Sequence, residues 1–121
     1  MIYSFTSHRD GLFPGAGVVI GKDGVLYGTT RDGGDRSSCP EEPGCGVVFE
    51  LSQSQYSDRE WSEQVLHRFA LTDGWRPISG LVIGEEGDLY GTTVMGGSST
   101  NCLGGCGVVF EVQTQGSRRD Q

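Results

Sequence analysis

The 121-residue chain lacks the features of membrane-spanning, nucleic-acid-binding and leader sequences. No apolar run approaches the ~20 residues that a membrane-spanning helix needs. Only 9 Lys and Arg residues oppose 16 Asp and Glu, and the net charge of −7 repels nucleic acid and anionic lipid. Met1–Phe5 has neither a basic n-region nor an apolar h-region. We therefore expect no nucleic-acid partner, no membrane insertion and no signal peptide in this sequence.

Signatures of catalysis and metal binding are also missing. There is no Gly-x-Ser-x-Gly elbow, no ladder of EF-hand oxygen ligands and no Cys-x-x-Cys. We interpret Asp10, Asp73, Asp23 and Glu86 as turn-capping carboxylates in place of calcium ligands. His67 alternates with apolar residues and is interpreted as a sheet residue, not a general base. The sequence predicts no catalytic residue, no metal and no cofactor.

Glycine, by contrast, is abundant at 21 residues, and much of it lies in a sequence that occurs twice. Asp23-Gly-Val-Leu-Tyr-Gly-Thr-Thr returns as Glu86-Gly-Asp-Leu-Tyr-Gly-Thr-Thr, and Gly-Val-Val-Phe-Glu follows at 46–50 and 107–111. Leu26 and its counterpart Leu89 are 63 positions apart. This period exceeds that of most helical solenoids and suits an array of small β-sheets. Because a catalytic site usually needs unrepeated residues, we expect a structural or binding module.

Runs of β-branched and aromatic residues predict the strands of each copy. The first copy contains such runs at 17–20, 26–30, 46–51 and 61–69, and the second repeats the third run at 107–112. Gly24 and Gly87 are expected to supply a positive φ in hairpin turns. In the fourth run, alternation places Val65, His67 and Phe69 on one face.

Four short antiparallel strands are the content of one propeller blade. We predict an all-β fold of two propeller-type blades over residues 1–112, with repeats at 6–69 and 70–112 and a stray fourth strand at 1–5. The second blade lacks its own fourth strand. The polar tail, 113–121, is predicted to be disordered.

The whole pattern resembles the GloVer repeat, a bacterial tandem repeat named for Gloeobacter and Verrucomicrobia. The resemblance is carried by Trp…Val-Leu-x-x-Phe…Asp-Gly…Pro, then Leu-Tyr-Gly-Thr-Thr, Gly-Gly and Gly-x-Val-Phe-Glu, and it covers almost all of residues 1–112. It implies membership of large secreted or surface-attached proteins with many repeats. It implies no catalytic residues.

Cysteines occur in matching loops of the two copies, Cys39 and Cys45 in the first, Cys102 and Cys106 in the second. Four cysteines allow three connectivities. Local pairing within each loop is favoured because each pair flanks a turn-rich segment. A zinc site would instead require the two pairs to converge. Disulfides indicate an oxidising compartment, and hence an extracellular or cell-surface location.

We therefore expect a non-catalytic scaffold or recognition surface. The first alternative is a lectin-like propeller in which Trp61, Trp75, Tyr27 and Tyr90 stack on a sugar, although such residues also fill the space between blades. The second alternative is a fragment of a propeller hydrolase.

Two repeats alone leave apolar strand residues uncovered at both ends of the stack. Candidates are Val18, Ile20, Val47, Phe49, Leu81, Ile83, Val108 and Phe110. We expect either further repeats in a longer chain or head-to-tail self-association, with Met1–Phe5 of one copy supplying the missing fourth strand of the next.

Overall fold

A computed structural model describes residues 1–6, 8–39, 44–56 and 60–114, and confirms an all-β fold of two antiparallel sheets. The first sheet contains β1 (Val19–Ile20), β2 (Leu26–Thr30), β3 (Val47–Gln53) and β4 (Trp61–Arg68); the second contains β5 (Val82–Ile83), β6 (Leu89–Thr93) and β7 (Val108–Val112). Strands in each sheet are neighbours in chain order. Short 3-10 turns occupy His8–Asp10 and Lys22–Gly24. Within these described ranges, no helix has the length and apolarity to cross a membrane.

The first hairpin of each sheet closes as the sequence predicts. Gly21 N–H donates to the Val25 carbonyl at 2.7 Å, and Gly84 N–H donates to the Asp88 carbonyl at 2.8 Å. Gly24 has φ +77° and Gly87 has φ +94°, values that a residue with a Cβ adopts only with strain. The positive-φ prediction is confirmed for both turns.

The glycine of Leu-Tyr-Gly-Thr-Thr makes room for a phenylalanine on the neighbouring strand. Gly28 lies opposite Phe49, and Gly91 lies opposite Phe110. A Cβ on either glycine would stand 2.7 Å from that ring. The two halves of the repeated motif are therefore joined by one cross-strand contact.

The second threonine of the motif links the ends of the long loop. Thr30 Oγ1 donates to the Asp32 carbonyl at 2.8 Å and accepts from Val47 N–H at 3.3 Å. Thr93 repeats this arrangement with Met95 (2.7 Å) and Val108 (3.2 Å). Each hydroxyl therefore joins a residue just after one strand to the first residue of the next strand.

A β-bulge changes the predicted faces of β4. Phe49 pairs with Val65 while Val48 pairs with His67, so Leu66 is an extra residue on β4. Val65 consequently packs with one apolar cluster, and Phe69 with the other. The expectation that Val65 and Phe69 share a face is wrong because the bulge shifts the alternation by one residue.

Each sheet has two faces, which we name from the third strand. The front face carries Val47, Phe49 and Leu51 in the first sheet and Val108, Phe110 and Val112 in the second. The rear face carries Val19, Tyr27 and Val48 in the first sheet and Val82, Tyr90 and Val109 in the second. The rear face of the first sheet packs against the front face of the second, and this contact forms the main core.

The two terminal segments lie outside the sheets. Met1–Phe5 forms no strand within the chain; Tyr3 and Phe5 pack on the front face of the first sheet. Of the tail predicted to be disordered, Thr114 is buried and its N–H donates to Asp88 Oδ1 at 3.4 Å. The rest of that tail, 115–121, lies outside the described residues.

Candidate functional site

The junction between the two sheets shows how one repeat receives the next. Phe69, which follows β4 and is 1% exposed, packs edge-to-face on Phe110 with ring centroids 5.0 Å apart. Phe69 N–H donates to the Gly46 carbonyl at 3.0 Å, and Arg76 N–H donates to the Cys45 carbonyl at 3.0 Å. The end of β4 and the connection after it therefore hold the second sheet on the first.

The N-terminal segment makes the same contacts with the first sheet. Phe5 packs edge-to-face on Phe49 with centroids 5.1 Å apart, as Phe69 packs on Phe110. Tyr3 lies against Phe5 at 5.2 Å, as His67 lies against Phe69 at 4.8 Å. The segment thus occupies the position that the end of a fourth strand takes at the internal junction.

Carboxylates fix both segments. Asp10 Oδ2 accepts from Tyr3 Oη at 2.6 Å and from Thr6 N–H at 3.1 Å. Asp73 accepts from Ala70 N–H at 2.8 Å and contacts His67 Nε2 at 2.8 Å. The prediction of turn-capping carboxylates is confirmed for this pair, whereas the side chain of Asp23 lies outside what the structure describes.

Glu63, on β4, contacts Tyr3 of the N-terminal segment. Its Oε1 accepts from Tyr3 Oη at 3.4 Å, and its Oε2 is buried without a hydrogen-bond partner among the described residues. Burial, and then the negative charge of Asp10, raise the pKa of Glu63 to about 7, against smaller lowering effects of Tyr3 and Arg68. Burial and the hydrogen bond to Asp10 raise the pKa of Tyr3. This cluster ties the N-terminal segment to β4.

The rear face of the second sheet is uncovered, although its counterpart in the first sheet is buried in the junction. Val109 is 81% exposed where Val48 is 0%, and Val82 is 65% exposed where Val19 is half-buried. Tyr90 is 40% exposed, and the charge of Glu111 raises the pKa of its phenol. Among the described residues, β7 pairs only with β6, so its outer edge is open. We call this surface the open end.

The opposite end of the stack is covered only in part. Tyr3, Phe5 and Trp61 pack on the front face of the first sheet. Val18 is 47% exposed, however, and its counterpart Leu81 is 4% exposed. Ile20 is 70% exposed on the same side. We call this partly covered front face the head end.

The cysteines pair within their loops, which confirms the predicted connectivity. Cys39 and Cys45 form the first disulfide, with Cα atoms 5.4 Å apart, and Cys102 and Cys106 form the second, with Cα atoms 5.1 Å apart. The first disulfide is buried in the junction and belongs to the main core. The second is exposed to solvent. The loop of the first repeat is therefore more buried than the equivalent loop of the second, as Val48 is more buried than Val109.

A shallow cleft of about 590 Å³ lies beside the junction and is lined by Phe13, Pro14, Gly15, Arg31 and Ile78. The Arg31 guanidinium stands 5.5 Å from the centroid of the Phe13 ring and donates to buried Asp32 at 2.8 Å. Phe13 has φ +61°, as does its counterpart Arg76. Sequence patterns did not indicate this cleft, because no turn motif predicts a left-handed phenylalanine.

The four aromatic residues predicted to offer a ligand surface do not form one group. Trp61 packs on the front face of the first sheet. Tyr27 and Trp75 pack in the junction, where the Arg76 guanidinium lies 5.2 Å from the Trp75 ring. Tyr90 lies at the open end. Three of the four therefore contribute to packing.

No three His, Cys, Asp or Glu side chains within the described ranges lie close enough to hold a metal ion. Comparisons of the chain with protein-family models, with curated proteins and with solved structures find no match. Inference about function therefore rests on the geometry of the chain itself.

Proposed function

We propose that this chain is a non-catalytic extracellular module built from propeller-type blades, and that it acts as a scaffold or recognition surface through its open end. The observation that carries the proposal is the unequal burial of equivalent residues. Val48 is covered by the second sheet, and Val109 presents the same apolar side chain to solvent. An exposed apolar patch built like a buried junction is a surface for protein association.

The contacts at the N-terminal segment support a repeating architecture. The same edge-to-face pairs and carboxylate caps occur at Phe5 and at Phe69, 64 positions apart in the sequence. A junction that recurs with one geometry can extend a stack without new kinds of contact. Further repeats are accordingly the partner that the open end fits best.

The disulfides support the extracellular location. Both loops carry a disulfide, and such bonds persist in oxidising compartments. The proposed place of action is the cell surface or the extracellular medium.

A tandem fusion of two full-length copies tests the proposal. In the fusion, residues 113–121 of the first copy connect its β7 to Met1 of the second copy. We expect hydrogen exchange at β7 of the first copy to slow at least ~10-fold, because the junction would cover it. The midpoint of thermal unfolding should rise by ~5 °C or more relative to the single chain.

The control is the same fusion with Val109→Glu in its first copy alone. A charge at the centre of the covered face should abolish the added protection. Equal exchange rates at β7 in the fusion, its control and the single chain would refute a stacking role.

A second candidate function is carbohydrate binding, and the cleft is the observation that favours it. Phe13 is 60% exposed there and stands beside Arg31, a combination that suits stacking and hydrogen bonding to a sugar. None of the five lining residues carries a carboxylate, so the cleft gives no support to a glycoside hydrolase.

Glycan-array binding by the wild-type chain, lost in Phe13→Ala, would establish this second function. Trp75→Ala is the comparison, because Trp75 lies in the junction and not among the residues that line the cleft. Absence of glycan binding by the wild-type chain would exclude it for the glycans on the array.

A further inference from the structure

We propose that the open end binds the head end of a second copy of this chain, and that the N-terminal segment of the second copy adds to β7 in a defined register. The inference rests on the proposed function in one respect, namely that the open end receives a further repeat. It adds the identity of the partner and the residues that pair.

The chain carries both halves of the required interface. At the internal junction, a rear face (Val48) meets a front face (Leu81, Leu89). The open end presents the equivalent rear face at Val109, and the head end presents the equivalent front face at Val18 and Ile20, all of them substantially exposed. A second copy therefore supplies the surface that the open end lacks, and leaves its own open end for another copy.

The second copy need not unfold in order to bind. Its Phe5 already packs on Phe49 of its own first sheet, as Phe69 packs on Phe110 of the second, and Tyr3 lies against Phe5 as His67 lies against Phe69. At the internal junction, β4 pairs with β3 while the residue that follows it packs on the next sheet. The N-terminal segment can likewise keep its contacts with its own sheet while it pairs with β7 of another copy. Docking thus avoids the ordering cost of exchanging a segment between chains.

The internal junction gives the register. Val47 pairs with Arg68 and Val48 pairs with His67. Transferred to the open end, these pairs become Val108 with Ser4 of the second copy and Val109 with Tyr3 of the second copy. The bond from Phe69 N–H to the Gly46 carbonyl becomes one from Phe5 N–H of the second copy to the Gly107 carbonyl. Pairing at this edge would satisfy backbone groups that an open strand leaves to solvent.

The first experiment measures self-association of the wild-type chain by light scattering and sedimentation between ~1 µM and ~1 mM. We expect concentration-dependent oligomers. Val109→Glu should raise the dissociation constant at least ~10-fold, because it places a charge at the centre of the interface. Tyr56→Glu is the matched control: Tyr56 is 88% exposed on the connection after β3, and its replacement should leave association unchanged.

The second experiment tests the register with cysteines. The double variant Tyr3→Cys and Val109→Cys should form a ladder of disulfide-linked chains on oxidation, whereas Tyr3→Cys with Tyr56→Cys should give at least ~5-fold less cross-linked product, because those positions are not predicted to meet. Equal cross-linking in both double variants would overturn the register.

A folded wild-type monomer throughout the concentration range, or association that Val109→Glu leaves intact, would overturn the inference. Failure here and failure of the proposed function are distinguishable. If the tandem fusion protects β7 while separate chains stay monomeric, the stacking role stands and a second copy is not the partner.

Discussion

Replacing Phe69 by alanine tests whether the second sheet depends on the junction that joins it to the first. Phe69 is 1% exposed and packs between His67 and Phe110, with centroid distances of 4.8 and 5.0 Å. A further contact comes from Gly74, on which a Cβ would lie 2.7 Å from the ring. Truncation would leave a ring-sized cavity in the main core.

For a phenylalanine this well buried, the loss of apolar burial and the cavity together lower the free energy of unfolding by about 3–4 kcal/mol. Phe5→Ala provides the comparison within the same molecule. Phe5 makes the equivalent contact with Phe49 at 5.1 Å but is only half-buried. Its removal should therefore cost about 1–2 kcal/mol.

Urea denaturation followed by tryptophan fluorescence measures both values, with far-UV circular dichroism to check that each variant folds. Phe69→Ala should shift the midpoint at least about 1.5 times as far as Phe5→Ala. Equal shifts would show that the second sheet does not cover Phe69 more fully than the first sheet covers Phe5. A loss below about 1 kcal/mol for Phe69→Ala would refute the main core as described.

The packing at Gly91, the burial of Glu63 and the exposure of the two disulfides each have a measurable consequence. Gly91→Ala should lower the free energy of unfolding by about 1–3 kcal/mol in urea denaturation, because the added methyl group meets the Phe110 ring. An unchanged urea midpoint would show that the ring is not held over this glycine. Burial raises the pKa of Glu63 from 4.5 to about 7, so the folded state holds a proton that the unfolded state releases in this range. The contribution of Glu63 to stability is therefore full below the unfolded pKa and is lost as pH rises through the folded pKa. After allowance for solvent screening of this half-buried group, the free energy of unfolding from urea denaturation should fall by about 1 kcal/mol between roughly pH 5 and pH 8. This fall should vanish in Glu63→Gln, and its persistence in the variant would assign it to other groups. The exposed second disulfide should be reduced by a water-soluble phosphine at least ~10-fold faster than the buried first disulfide, as followed by thiol alkylation and mass spectrometry. Equal rates would contradict the difference in solvent exposure between the two loops.

Local patterns were sufficient to predict the strands, the hairpin turns and the disulfides. β2 spans the predicted Leu26–Thr30, and Gly24 and Gly87 have the expected positive φ. The cysteines pair within loops of 6 and 4 residues' separation, a result that short-range geometry favours. Each of these features depends on residues close together in the chain, and the side chains of those residues set their strand and turn preferences.

The bulge at Leu66 could not be predicted in this way. Its extra residue appears only when β4 is laid against β3, and alternation within β4 alone gave the wrong face for Val65 or Phe69. Register depends on a partner strand and on the core that both strands cover. The packing of Tyr3 and Phe5 on the first sheet is equally a long-range contact.

The sequence by itself determined that the chain is a twofold repeat of short strands, since periodicity and glycine-rich turns are local properties. Which face of each sheet is buried was decided only by the tertiary structure. Val48 and Val109 stand at the same place in the repeated motif, yet one is enclosed and the other exposed, because burial depends on which sheet lies across the gap, and a residue's own neighbours in the sequence do not specify that.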